Sequence, residues 1–199
     1  MDVKDGEFLV RLARRAISEH LVHKRRIKSP VDVRGELKEK RGVFVTLRTH
    51  PSEELRGCIG FPEPVKPLID AVIDAAISSA TGDPRFYPVS PNELSHISIE
   101  VTVLTLPAPV KSVSPQDRLT EIEIGNHGLM IEKGLNRGLL LPQVPIEQGW
   151  NKEEYLAGIC MKAGLPANAW MEKDTKLYRF EGIIFSEKEP EGAVEEKRY

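Results

Sequence analysis

Val43-Phe44-Val45-Thr46-Leu47, the loop Thr49 to Glu54 with its Pro51, and then Leu55-Arg56-Gly57-Cys58-Ile59-Gly60 decide the fold. The two flanking stretches are built largely from β-branched, aromatic and small residues and predict two strands joined as a hairpin. The Pro-rich run from Phe61 to Pro67 stops the second strand, and Pro67 stands where the first turn of a helix tolerates proline. Leu68, Ile69, Val72, Ile73, Ala76, Ile77 and Ala80 then predict a helix that is apolar over most of its circumference and ends near Gly82. Asp70 and Asp74 share one face of it, and a structural role suits them better than a paired-carboxylate site, since Asp70 near a helix N-terminus is favoured by the dipole.

Working outward, Phe8, Leu9, Leu12, Ala13, Ala16, Ile17 and Leu21 give residues 5–23 one buried helical stripe, with the arginines expected to point mainly outward. Ile97, Ile99, Val101 and Val103 alternate with Ser98, Glu100 and Thr102, the period of a half-buried strand, and Pro107 and Pro109 end it. Residues 128–132 and 138–143 flank a Lys-Gly-Leu-Asn-Arg turn and predict a second hairpin. Asn151 and Glu154 form a capping box before a helix whose apolar face is Tyr155, Leu156, Ile159, Cys160 and Ala163, closed by Gly164 and Pro166. Leu177 to Phe185 reads as one strand, and the Glu/Lys-rich remainder as too polar to fold. Strands and helices mix without strict alternation, so the class is α+β with largely antiparallel sheet.

At 199 residues, 40% hydrophobic and 29% charged, the chain can bury a substantial core in one domain or two lobes. No apolar run approaches a membrane span, and the first residues lack a signal peptide's apolar block, so a soluble cytoplasmic protein that does not enter a membrane is expected. Two cysteines without metal-site spacing predict neither a disulfide scaffold nor a zinc site. No metal or other cofactor is predicted. Basic residues between Arg11 and Lys28 and acidic ones from Glu187 to Glu196 read as a solvated helix face and a frayed tail, and a net charge of -2 argues against nucleic acid as a partner.

The chemistry centres on Arg56 and Cys58. Side chains two apart on a strand share a face, with Cα atoms about 6 to 7 Å apart, so a guanidinium is placed to favour the thiolate. Gly57 and Gly60 flank the cysteine and mark a bulge or the close approach of another backbone or of a ligand. The competing reading makes Cys58 a small buried hydrophobe. A nucleophilic cysteine also wants a base, for which His127 in the turn Gly125-Asn126-His127-Gly128 is the first candidate and His50 the second. Asp83-Pro84-Arg85-Phe86 puts a carboxylate and a guanidinium on a stiff loop, where they either clamp a ligand or lock the helix end. Glu100 and Gln143 are weaker candidates. No P-loop, GxGxxG, GxSxG or HExxH occurs, which removes the common nucleotide and hydrolase chemistries.

Leu55 to Gly60 is identical to the signature of the AMMECR-type family, named for a human X-chromosomal region linked to Alport syndrome, midface hypoplasia and elliptocytosis. Asp83-Pro84-Arg85-Phe86, Asn126-His127-Gly128-Leu129, Gly138 to Val144, and Cys160 to Leu165 followed by Trp170 also resemble the family pattern in order, while Phe61-Pro62 departs from the residue common after the signature. The resemblance implies an α/β protein of two subdomains. A large one of about residues 1–108 and 174–199 holds both termini and an antiparallel sheet flanked by helices, and a small one of about 109–173 has its own short antiparallel sheet, with a cleft between them lined by the signature. It also implies a pathway shared with Memo-like and radical-SAM proteins. The family has no established biochemical activity.

Two function classes follow. One is an enzyme acting on a large substrate, a protein or modified RNA, with Cys58 as nucleophile or redox residue, Arg56 and His127 assisting, and Gly57, Gly60, Asp83, Arg85 and Gln143 binding substrate. The other is a non-catalytic adaptor that holds a protein partner through Arg56, Asp83 and Arg85. The sequence leaves the choice between them, and so the enzyme question, open.

Overall fold

The computed structural model describes residues 1–112 and 114–197. Residue 113, expected in the small subdomain, and residues 198 and 199, expected in the large one, lie outside the described residues. In chain order the elements are α1 (Val3–His23), α2 (Gly35–Lys38), β1 (Val43–Thr49), β2 (Leu55–Phe61), α3 (Leu68–Thr81), β3 (Ile97–Leu104), β4 (Ala108–Pro109), α4 (Pro115–Thr120), β5 (Gly128–Lys133), β6 (Asn136–Leu140), α5 (Val144–Glu147), α6 (Lys152–Lys162), β7 (Lys176–Phe180), β8 (Gly182–Glu187) and β9 (Val194–Lys197). Short 3-10 turns occupy Pro91–His96 and Ala169–Met171. Helices and antiparallel strand pairs make an α+β protein. No helix among the described residues is long and apolar enough to cross a membrane.

The chain divides into two compact units, the first made of residues 1–104 and 183–197 and the second of residues 105–182. In the first, five strands lie in the order β2-β1-β3-β8-β9. The alternation in β1 and β3 turns Val43, Val45 and Leu47, with Ile97, Ile99, Val101 and Val103, to the face on which α1 and α3 pack. Leu9, Ala13, Ile17, Val72 and Ala76 complete that core. Thr46 pairs across with Glu100 on the opposite face, and both are buried. Residue Glu100, expected on a half-exposed polar face, is only 6% exposed.

Two residue groups depart from expectation here. Arg14 does not point outward: its guanidinium is buried, with Nε 2.9 Å from Glu187 Oε1, Nη2 2.5 Å from Oε2, and Nη2 also donating to the Ile97 carbonyl at 2.6 Å. Nor is the acidic end of the described chain unfolded. Val194–Lys197 pairs antiparallel with β8, matching Glu187 to Val194 and Ile184 to Lys197, and Arg11 donates to the Gly192 carbonyl at 2.6 Å. An unpaired edge supplies backbone partners that need no apolar side chains, so strand formation at an edge is not written in hydropathy. Asp70 and Asp74 have the structural role expected of them: Arg26 reaches both, at 3.1 and 2.6 Å, and Lys66 binds Asp74 at 2.8 Å.

The second unit has a sheet of order β4-β7-β5-β6. Its core gathers Ile122, Leu129, Ile131, Tyr155, Leu156, Ile159, Cys160, Trp170 and Leu177. The expected capping box starts α6, with the Glu154 N–H donating to Asn151 Oδ1 at 2.9 Å and the Asn151 N–H to Glu154 Oε2 at 2.8 Å. The hairpin turns on Gly134, whose φ of +59° suits glycine, so β5 and β6 reach further into the predicted turn. Buried Arg118 donates to the carbonyls of Ser112 and Thr175 at 3.0 and 3.1 Å and to that of Trp170. The single strand expected over Leu177 to Phe185 is two: β7 belongs to this sheet and β8 to the other, parted at Glu181.

Candidate functional site

Strand β2 is an edge strand, and α3 runs close beneath it. Buried Ser79 of α3 sits in the β1–β2 ladder: the Ile59 N–H donates to its Oγ at 2.8 Å, and the hydroxyl donates to the Val45 carbonyl at 2.7 Å. Gly57 lies over the same turn, where a Cβ would come 2.2 Å from the Ser79 carbonyl oxygen, and a Cβ at Gly60 would come 2.3 Å from that of Val43. Both glycines are therefore demanded by the close approach of neighbouring backbone within the fold.

The register matches Thr46 to Cys58 and Leu47 to Gly57, then shifts so that Arg48 faces Leu55, which leaves Arg56 as the extra residue of a bulge. Strict alternation stops there. Instead of reaching the thiol, the Arg56 guanidinium donates from Nε and Nη2 to Glu93 Oε1 at 3.1 and 3.0 Å and from Nη1 to the Tyr87 carbonyl at 2.9 Å. The Ser90 N–H and Arg56 together hold the Glu93 carboxyl below its ordinary range. What touches Sγ of half-buried Cys58 is the Thr46 hydroxyl, which donates to it at 3.4 Å.

Asp83 organises the other side. Its buried carboxylate accepts the Cys58 N–H at 2.8 Å, the Arg85 N–H at 3.1 Å, and Arg85 Nε and Nη2 at 3.0 and 2.7 Å. The Arg85 guanidinium is the main reason this carboxyl stays far below the usual carboxylate range. Arg85 Nη2 also lies 3.4 Å from the Cys58 carbonyl oxygen, and the Arg85 side chain is 54% exposed. Phe86 lies within cation–π distance of both guanidinia, 5.5 Å from Arg85 and 6.0 Å from Arg56. The Asp83/Arg85 pair, on the loop that follows α3, thus pins the backbone of the signature cysteine.

His127 and Gln143 belong to the second unit. The turn that carries His127 is buried at the histidine: its Nδ1 accepts the Glu123 N–H at 3.0 Å, its Nε2 lies 3.7 Å from Glu181 Oε1, and its carbonyl accepts the Tyr155 hydroxyl at 3.1 Å. Burial, followed by the charge of Arg179, lowers its pKa. Gln143 stands at the N-cap of α5 without a side-chain capping bond. His50 follows β1, and its Nδ1 is a buried polar atom without a hydrogen-bond partner. Cys160 is fully buried, and burial pushes its thiol up. Among the described residues, no cluster of His, Cys, Asp or Glu could hold a metal ion.

The sequence profile of the AMMECR1 family matches residues 10–185, which include the whole of both groups of residues. The chain belongs to the AMMECR1 family. It is 55% identical over 200 residues to protein TK0174 of Thermococcus kodakarensis, covering 98% of this chain and 97% of that one. It is 51% identical over 198 residues to protein MK0488 of Methanopyrus kandleri, covering 99% and 95%. The crystal structure of uncharacterized protein PH0010 from Pyrococcus horikoshii superposes with a TM-score of 0.81 at 51% identity over 98% of this chain and 97% of that one. AMMECR1 relatives thus fix the family and the fold, and no biochemical activity is established among them.

In this AMMECR1 chain, two parts of the site escaped the sequence reading. Thr46 reaches Cys58 only through the hairpin register, and Glu93 reaches Arg56 across 37 positions. A hairpin turn of known length would have revealed the first; no local signal reveals the second.

Proposed function

We propose that this AMMECR1 chain is a cytoplasmic thiol enzyme, acting on a protein or modified RNA with Cys58 as its nucleophile or redox centre. The observation that supports it best is the Thr46 hydroxyl donating to Sγ of a cysteine that is half-buried rather than sealed in a core. A nucleophilic cysteine has to be within reach of its substrate, and the neighbouring hydroxyl gives this sulfur a hydrogen-bonding partner. The Asp83 carboxylate fixes the Cys58 backbone from behind, which holds the sulfur in one place. Arg56, with its partners in Glu93 and Tyr87, shapes the strand, while Arg85 is the guanidinium beside the cysteine. Protein side chains carry the chemistry in this reading, without a cofactor, and Memo-like or radical-SAM proteins are the pathway partners to look for first.

The test is peptide-resolved alkylation of the native protein with iodoacetamide near neutral pH. Cys58 is expected to react at least tenfold faster than Cys160 and faster than the same thiol in the urea-unfolded chain; equal, slow labelling of both sites overturns the enzyme reading. A second reading, an adaptor that grips a protein partner, is favoured by the exposure of two side chains on the loop after α3, Arg85 at 54% and Tyr87 at 91%. It requires Cys58→Ser to keep partner binding and Arg85→Ala to lose it.

A further inference from the structure

Arg85 uses only part of its guanidinium within the fold. Nε and Nη2 donate to the two Asp83 carboxylate oxygens at 3.0 and 2.7 Å, and Nη2 also reaches the Cys58 carbonyl oxygen at 3.4 Å. A guanidinium carries five N–H donors, and among the described residues nothing accepts from the two on Nη1. The side chain that bears them is 54% exposed. These unused donors nevertheless sit on a group that is held still. Asp83 is buried and also takes the N–H groups of Cys58 and Arg85, and the Phe86 ring lies 5.5 Å from the guanidinium. Arg56 is different: Nε and Nη2 go to Glu93, Nη1 goes to the Tyr87 carbonyl, and its side chain is 16% exposed. All three of its nitrogens are engaged, whereas holding Asp83 takes only the Nε and Nη2 edge of Arg85.

We propose that Nη1 of Arg85 receives a carboxylate of the protein substrate and so holds that substrate beside Cys58. The proposal rests on the reading of Cys58 as the reactive thiol, and it narrows the substrate to a protein segment that carries an acidic group. An N–H pair of a fixed guanidinium makes charge-assisted hydrogen bonds to a carboxylate with little ordering left to do. Cys58 lies near enough for a charge on it to raise the Arg85 pKa, behind the larger effect of the Asp83 hydrogen bond. A group bound at Arg85 is therefore within electrostatic reach of the cysteine.

The local charges favour protein over RNA. Each guanidinium near the signature strand is matched by a carboxylate, Arg85 by Asp83 and Arg56 by Glu93. What is left over is one pair of donors, which suits a single carboxylate. A phosphodiester backbone is bound through several cations that neutralise successive phosphates, and this pair of matched arginines does not provide them.

The experiment compares alkylation of Cys58 by iodoacetate and by iodoacetamide in the full chain, read on the peptide that contains it. Both reagents lose iodide to the same thiolate, so the ratio of their rates cancels the ionisation of the thiol and leaves the attraction for the carboxylate. In the native protein the iodoacetate/iodoacetamide ratio is expected to be about fivefold above that of the same cysteine in the urea-unfolded chain, the factor of a half-exposed ion pair. Arg85→Gln should return it to the unfolded value. Arg85→Lys keeps the charge without the free Nη1 and should lose most of the gain; a lysine that keeps it in full shows a plain charge effect and overturns the assignment to Nη1. On the wild-type chain, a capped glutamate peptide amide and triglycine with a free carboxyl terminus are the carboxylate probes. At equal ionic strength one of them should slow iodoacetate more than inorganic phosphate does, and which one tells a side-chain from a terminal carboxylate. Protection by phosphate that equals or exceeds theirs overturns the choice of protein in favour of RNA. This arm decides alone if the Arg85 variants do not fold. A native ratio equal to the unfolded one, with Cys58 still labelled rapidly by iodoacetamide, overturns the carboxylate site and leaves the thiol reading standing. Absence of labelling by both reagents removes the two together.

Discussion

His127 shows how a residue type that suggests catalysis can instead hold a turn. Its neutral ring accepts the Glu123 N–H through Nδ1, so protonation at that nitrogen would destroy the bond as well as bury a charge. Desolvation lowers its pKa against a counter-pull from Glu181, so the folded state takes up the proton at lower pH than the unfolded chain, whose histidines titrate near about 6.5. Stability linked to this group is complete above that value and is lost as pH falls through it toward the folded pKa. Urea unfolding at pH 7.5 and 5.5 should therefore give a drop in stability on acidification that His127→Gln reduces; an equal drop in the variant would assign it to other groups. At this scale the residue types were legible and their partners were not. Arg56, Cys58, Asp83 and Arg85 were all legible as candidates, but the glutamate that engages Arg56 and the threonine that touches Cys58 depend on register and on a loop return, neither of which is local.

Strand β2 and helix α3 form one unit through the Ser79 hydroxyl and the bare backbone of Gly57. Gly57→Ala would drive a Cβ into the Ser79 carbonyl at 2.2 Å, and since a Cβ is fixed to its Cα and the carbonyl belongs to the helix backbone, the helix or the strand has to move. The expected cost is about 3 kcal/mol, the upper part of the range for overpacking, read as a lower urea midpoint with unchanged slope. A loss below about 0.5 kcal/mol would mean that α3 yields freely. Elements with strong periodicity, α1, α3, α6 and the β1–β2 hairpin, were readable because burial imposes 3.6-residue or two-residue spacing on apolar side chains. Strand β9 was not, because Val194-Glu195-Glu196-Lys197 owes its conformation to the edge of β8. The break at Glu181 was missed because β7 and β8 are both apolar enough to look continuous, while what separates them is a change of sheet.

Chain order gives the two units different degrees of self-sufficiency. Residues 105–182 contain every strand of the sheet β4-β7-β5-β6 and a core of their own. Expressed alone, this segment is expected to fold, with dispersed amide resonances and one cooperative urea transition. Residues 1–104 alone lack β8 and β9 and the Glu187 carboxylate that meets buried Arg14. That fragment is expected to be less protected from proteolysis and to aggregate through the bare edge of β3. A well-dispersed, monomeric 1–104 fragment would contradict this. The two-unit division was suggested by the family resemblance rather than by composition, since no linker rich in glycine or serine marks the points where the chain crosses.

Because residues 183–197 close the sheet that residues 43–104 begin, the part of the chain made first is the part completed last. On the ribosome β3 emerges with an unmatched edge and waits while the whole of the second unit is synthesised, at a pace of about 5–20 residues per second. The nascent AMMECR1 chain therefore spends several seconds with Arg14 and Ile99 short of their Glu187 partner.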